Sequence, residues 1–296
     1  MSPRLPLLKA MRGRPSRPNV GGTSNRGLSL VGVFLLAANL GVLSAGGLLL
    51  WTGLDDEREK MLPNRFSRAL EEARRPSSHD VSDALIPLSE DTPGLVWDDG
   101  ANPRRVLVAT FTDYRGYDRH VTQSCRLEQE AWVSPVPQLQ GRCRQFELSG
   151  PSLNERVAQY LGLRPNGHHD AVVEIWVSSE AVFRPCADPE VDDTACRLGL
   201  PDVSGEAREP ARKHARWFKN MLETYYGERP YPWTRLGYTY DWSGCGTKVG
   251  ASEYVIPRGT VVSIGSVTST GDYCGGSGGP DRQPIPRPGP GAIPPC

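Results

Sequence analysis

From Leu28 to Leu54 the chain reads "LSLVGVFLLAANLGVLSAGGLLLWTGL", without a charged residue. A helix of roughly 20 apolar residues crosses the hydrocarbon layer of a bilayer, where every backbone polar group must be satisfied within the segment. The run exceeds the apolar core of a cleaved signal peptide, although "LSAGG" offers small residues at which such a peptide is cut. The residues before it carry Arg4, Lys9, Arg12, Arg14, Arg17 and Arg26 and no acid, a bias that keeps a first segment in the cytoplasm. The expectation is a single-pass signal-anchor in the cell membrane. Residues 1–27 form its basic cytoplasmic segment and residues 28–54 its transmembrane anchor, with Trp51 at the outer interface. The main domain then lies on the periplasmic or extracellular side.

Cysteine usage agrees. All seven cysteines lie beyond the apolar run, which suits an oxidising compartment. Six of them, Cys125, Cys143, Cys186, Cys196, Cys245 and Cys274, fall within the expected folded region. Proximity along the chain pairs Cys125 with Cys143, Cys186 with Cys196 and Cys245 with Cys274, one choice among the connectivities six cysteines allow. Cys296 is left over. There is no C-x-x-C pair for zinc, and no nucleotide loop, haem motif or dinucleotide fingerprint, so no metal and no cofactor is expected. With 34 basic and 34 acidic residues the net charge gives no reason to expect nucleic acid as a partner.

Residues 55–103 read as a juxtamembrane helix, capped by Asn64 and carrying Phe66, Leu70 and Ala73, followed by a linker rich in Pro, Ser, Asp and Gly. Residues 104–274 read as one α+β domain stapled by disulfides. "RVLVATFTDY", "HHDAVVEIWVS", "LGYTYDW" and "GTVVSIGSV" are strand-like. "SLNERVAQYLGL" is helical, with Ser152 and Glu155 as a capping box and Leu153, Val157 and Leu161 on one face. "PARKHARWFKNMLETYY" is the clearest helix, with Trp217, Phe218, Met221, Leu222 and Tyr225 as its buried stripe. Residues 275–296 are rich in Gly and Pro and read as a disordered tail. Within that tail "GGSGGP" looks like a serine-protease nucleophile loop. Position 276 is glycine instead of the loop's acid, and no helix follows Ser277 to make a hydrolase elbow. Ser277 is therefore read as tail.

Several clusters remain as candidate sites. His168, Asp170, Glu174 and Trp176 share one strand face, the opposite one to Ala171, Val173, Ile175 and Val177. One imidazole and two carboxylates on a face suit acid–base work, against the plainer reading of a solvated sheet surface. The acids of "CADPEVDDTAC" have the rhythm of a calcium loop. Asp193 stands where such a loop needs glycine, and Gly199 where it needs glutamate. Arg212, Lys213, His214, Arg216 and Lys219 form a basic helix face, an ordinary solvated surface or a site for anions. "YPWTRLGYTYDW" with Tyr225 and Tyr226 places seven aromatics within 18 residues. Trp233, Arg235, Tyr238, Tyr240 and Trp242 are either a core cluster or a stacking surface for a ligand.

The segments "FRPCADPEVDDTAC", "YPWTRLGYTYDW" and "GASEYVIPRGTVV", in that order, resemble motifs shared by a family of uncharacterised bacterial exported proteins. The resemblance covers about residues 130–274. It implies a bacterial envelope setting and carries over no catalytic residues. Two functional readings stand. One is a membrane-anchored domain for binding or assembly at the cell envelope. The other is an envelope hydrolase acting on cell-wall or glycan material through His168, Asp170 and Glu174. Ala37, Gly41 and Ala45, four apart in the span, suit helix pairing. That spacing makes a homodimer, bridged through Cys296, one expectation for the partner; an envelope protein is the other.

Overall fold

The runs "RVLVATFT" and "AVVEIWVS" form neighbouring antiparallel strands, β2 (Arg105–Thr112) and β5 (Ala171–Ser178), with Val108 opposite Ile175. Their β-branched and aromatic side chains suit a pleated surface covered on both sides. In the computed structural model, residues 62–165, 167–201, 209–228, 230–275 and 293–296 are described. The basic segment, the anchor run 28–54 and Ser277 lie outside them. Among the described residues no helix is long and apolar enough to cross a membrane.

β2 and β5 sit at the centre of a seven-stranded sheet. The remaining strands are β1 (Trp97–Asp98), β3 (Ser124–Arg126), β4 (Ala131–Pro135), β8 (Tyr254–Ile256) and β9 (Val261–Ser269). The order is β3-β9-β5-β2-β4-β8, with β1 also on β2, and every ladder is antiparallel. β6 (Tyr238–Tyr240) and β7 (Val249–Ser252) form a separate pair. The helices are α1 (residues 62–73), α2 (Val136–Arg144), α3 (Gly150–Tyr160), α4 (Glu209–Glu223) and the short α5 (Thr270–Gly275). The fold is mixed helix and sheet with three disulfides.

Both faces of the main sheet are buried. Leu107, Ala109, Phe111, Val172 and Trp176 pack with Leu139 of α2, Leu153 and Val157 of α3, and Tyr273 of α5. Val106, Val108, Val173, Ile175 and Val177 form the opposite cluster with Val133, Ile256 and Ile264, joined by Leu88 and Val182. Glu174 and Trp176 are therefore not on a solvated surface, because three helices cover their side of the sheet. α3 begins earlier than its capping-box reading, with Ser149 as N-cap and Pro151 in its first turn. Leu153, Val157 and Leu161 are buried as expected. α4 carries Phe218 into a cluster with Trp217, Met221, Leu222, Tyr225 and Trp233, and continues as a π-helical turn over Thr224–Glu228.

Residues 76–103, read as a linker, run against this body. Leu85 and Leu88 are buried and donate their amides to Thr194 O and Val191 O, and Ile86 N donates to Ser252 Oγ. Such irregular pinning produces no sequence period. α1 lays Phe66, Ala69 and Ala73 on Tyr240 and Trp242.

Two of the three disulfides differ from the proximity pairing. Cys143 of α2 is bonded to Cys274 of α5, and Cys125 of β3 to Cys296, while Cys186–Cys196 forms as expected. Cys245 is free and exposed. The reason is topological: α2 and α5 pack side by side on one face. Residues 294–296 lie along β3, with Arg126 N donating to Pro294 O at 2.8 Å and Cys296 N to Arg126 O at 2.9 Å. Cys296 is thus held within its own chain and is not a spare thiol for a partner.

Candidate functional site

Glu253 stands between β7 and β8, at the corner where the chain leaves the small sheet for the large one. Its amide donates to Gly237 O at 2.9 Å, which fixes the corner. The side chain lines a cavity of about 460 Å³. Residues 109–112 of β2 and 131–134 of β4 form two walls, with Leu161, Leu163, Tyr231 and Thr239. Tyr114, Glu128 and Gln129 are the exposed lining residues and mark where the cavity meets solvent. A volume of this size suits a small organic molecule.

Glu253 is only 3% exposed. Burial pushes its carboxyl from 4.5 up to about 8, because an apolar setting disfavours the charged form. At neutral pH the group is then mainly a neutral acid, able to donate a hydrogen bond. No hydrogen bond or ion pair to its carboxyl forms among the described residues. Its polar neighbours are already engaged. Tyr231 donates its hydroxyl to Leu161 O at 2.9 Å. Burial, and secondarily the nearby Glu253 charge, push that phenol well above its ordinary range. Thr239 Oγ1 donates to Tyr160 O at 2.7 Å and accepts from Ala251 N at 2.8 Å. Glu130 accepts from the Trp132 and Trp217 indoles at 3.2 and 3.1 Å. Trp132 packs edge-on against Tyr231 and Trp233, extending the aromatic wall into the α4 cluster.

The residues singled out in the sequence lie elsewhere. His168 and Asp170 line a second hollow of about 430 Å³, with His169 and Glu155. Asp170 is paired with Arg115, outside that hollow, at 2.5 Å. Glu174 does not line that hollow; it is buried under the helices and accepts from Ser266 Oγ at 3.0 Å. The structure brings His168 and Asp170 together and separates Glu174 from them, because the first two precede β5 and the third lies within it.

The aromatic stretch is core. Trp233, Tyr238, Tyr240 and Trp242 are buried, and their polar ends bond internally, to Pro185 O, Asp80 O, the Glu72 carboxylate and Leu163 O. Arg235 lies over the Tyr226 ring and donates to Arg74 O. They do not form a stacking face: α1 covers Tyr240 and Trp242, Leu85 of the following segment packs on Tyr238, and the α4 cluster encloses Trp233.

The acidic loop is tied to arginines. Asp193 pairs with the fully buried Arg184, and Asp188 with Arg197. Cys186 and Cys196 also lie near Asp188, but their sulfurs are joined to each other. On α4, Arg212 and Arg216 pair with Glu209. His214 turns inward and donates Nε2–H to Cys186 O at 2.7 Å, and burial pulls its pKa below the ordinary value.

Glu253 was not among the residues drawn from the sequence. Its one signal is an acid set between buried apolar positions in "GASEYVIP". Comparison with protein-family models, curated proteins and solved structures finds no match to this chain.

Proposed function

We propose that this chain is a ligand-binding domain of the bacterial cell envelope, anchored in the membrane through residues 28–54, with the Glu253 cavity as its ligand site. The observation that carries the reading is the buried, unpaired carboxyl of Glu253 in a cavity of about 460 Å³. A buried polar group without a partner is costly. A hollow that keeps one is the first place to look for a ligand. The uncharged run and the basic segment before it support the anchor, and the disulfides and the motif resemblance support the envelope setting. A homodimer paired through the span, or an envelope protein partner, belongs to the same proposal.

The second reading, a hydrolase of cell-wall or glycan material using His168, Asp170 and Glu174, has less behind it. Arg115 holds Asp170, and Glu174 faces the helices.

The test is a fragment screen on the full chain in detergent, read by the NMR indole signals. Fragments that seat in the cavity shift Trp132, and E253Q alters the set of hits. A screen in which no fragment moves Trp132 defeats the reading. Extraction of cell membranes with alkaline carbonate tests the anchor: the full chain stays with the lipid, and release into the wash counts against residues 28–54 as a span.

A further inference from the structure

We infer that the cavity takes a small organic cation, an amine joined to an apolar or aromatic body, with its charged head against Glu253. The inference rests on the cavity being the ligand site.

Three features of the lining lead there. First, its ionisable residues are all acids or phenols: Glu128, Glu130, Glu253, Tyr114, Tyr117 and Tyr231, with no Lys, Arg or His. An anionic ligand would meet no cation and would be repelled by the carboxylates. Second, Tyr231 and Thr239, the polar neighbours of Glu253 in the lining, are engaged, Tyr231 with Leu161 O and Thr239 with Tyr160 O and Ala251 N. The carboxyl with no protein partner is that of Glu253, a 3%-exposed residue that lines the hollow. That group, rather than the number of acids, marks the place for a ligand. Third, Phe111, Trp132 and Tyr231 give the cavity aromatic walls, and ring faces attract an ammonium group, more strongly where water is excluded.

The chemistry has a definite proton balance. Free, the Glu253 carboxyl holds its proton near neutral pH. An ammonium head beside it favours the carboxylate. The bound state is then an ion pair, and the carboxyl proton passes to solvent. No bond other than the O–H is broken, and no co-reactant is needed. A neutral ligand of the same shape would accept a hydrogen bond from the protonated acid and release nothing.

Isothermal titration of the full chain in detergent at pH 6.5, repeated in phosphate and in Tris, measures affinity and proton release together. The probes are phenethylamine, 2-phenylethanol and 3-phenylpropionate. Phenethylamine is expected to bind at one site, at least tenfold tighter than either analogue, with close to one proton released. E253Q, which keeps the shape of the protonated acid, should weaken it at least tenfold and abolish the release. The proton count in the unsubstituted protein stands without the variant. Equal or tighter binding of 2-phenylethanol or 3-phenylpropionate overturns the cationic class while leaving the cavity as a ligand site. Phenethylamine binding without proton release overturns the ion pair with Glu253. No binding by any probe overturns the inference, and the fragment screen decides separately whether the cavity is a site at all.

Discussion

Cys125 is bonded to Cys296, which lies 171 residues further along the chain. The bond fastens the end of the chain to β3. With Cys143–Cys274 in place, the route between the two sulfurs shortens to roughly 40 residues, and loop-closure entropy for that length is about 4 kcal/mol. The double variant Cys125→Ser/Cys296→Ser should lose about that much in denaturant unfolding. Peptide mapping without reduction should recover 125 with 296 and 143 with 274. A single thiol, Cys245, should react with maleimide in the native chain. A peptide joining Cys125 to Cys143 would contradict the arrangement.

Glu253 makes stability depend on pH. Its folded pKa is raised, from 4.5 to about 8, so the protonated acid suits the fold. The contribution is fully present below pH 4.5 and is lost as pH rises through about 8. At about 1.4 kcal/mol per unit the whole climb is roughly 4 to 5 kcal/mol. E253Q cannot ionise. Its melting temperature should match that of the parent near pH 4.5 and exceed it near pH 8. Parallel curves from pH 4.5 to 9 would show that the carboxyl ionises freely.

The sequence was legible where burial leaves a period. Val173, Ile175 and Val177 announce one face of β5, and Trp217, Phe218 and Met221 announce the stripe of α4. What defeated the reading was pairing between distant segments. Glu174 made the second face of β5 look solvated, since nothing near it in the chain reveals that α2, α3 and α5 cover it. Cys143 meets Cys274 only because two helices far apart in sequence share a face. Glu253 was hidden for the same reason. One acid in a mostly apolar stretch reads as an outward residue, and its burial appears only when β7 and β8, on either side of it, are assigned to different sheets. The aromatics of "YPWTRLGYTYDW" drew attention by density, yet density is what a core cluster needs too.

Arg156 and Asp241 form a two-bond ion pair, at 2.7 and 3.1 Å, with Asp241 almost wholly buried and the guanidinium over Phe146. Removing one partner strands the other, which costs about 3 kcal/mol or more. Asp241→Asn should lose that much. Arg156→Met/Asp241→Leu together should recover part of it, because two apolar groups need no partner, while the Ser243 amide that donates to Asp241 Oδ1 at 3.0 Å loses its acceptor. The exposed Glu209–Arg216 pair of α4 is the contrast: Glu209→Gln should leave the unfolding midpoint nearly unchanged, because water already screens the pair. Equal losses at both sites would mean that Asp241 is more hydrated than its burial indicates.

Gly250 lets β6 and β7 close on each other beneath the cavity. A Cβ there would lie 2.2 Å from Thr239 Oγ1, 2.4 Å from Tyr160 O and 2.5 Å from Thr239 O. Two of the three are backbone atoms, so no side chain can swing aside to make room. Gly250→Ala must push β7 away from β6 and disturb Thr239, which bonds Tyr160 O and the Ala251 amide. Overpacking of this kind costs about 1 to 3 kcal/mol and occasionally more, and the backbone clash places this case at the upper end. Gly141 in α2 has nothing within 4 Å of its would-be Cβ. Gly141→Ala should therefore stabilise the protein, by up to about 1 kcal/mol, through helix propensity alone. Denaturant unfolding of the two alanine variants should move in opposite directions. A Gly250→Ala protein as stable as its parent would show that the β6–β7 approach is looser than these distances, and the floor of the cavity with it.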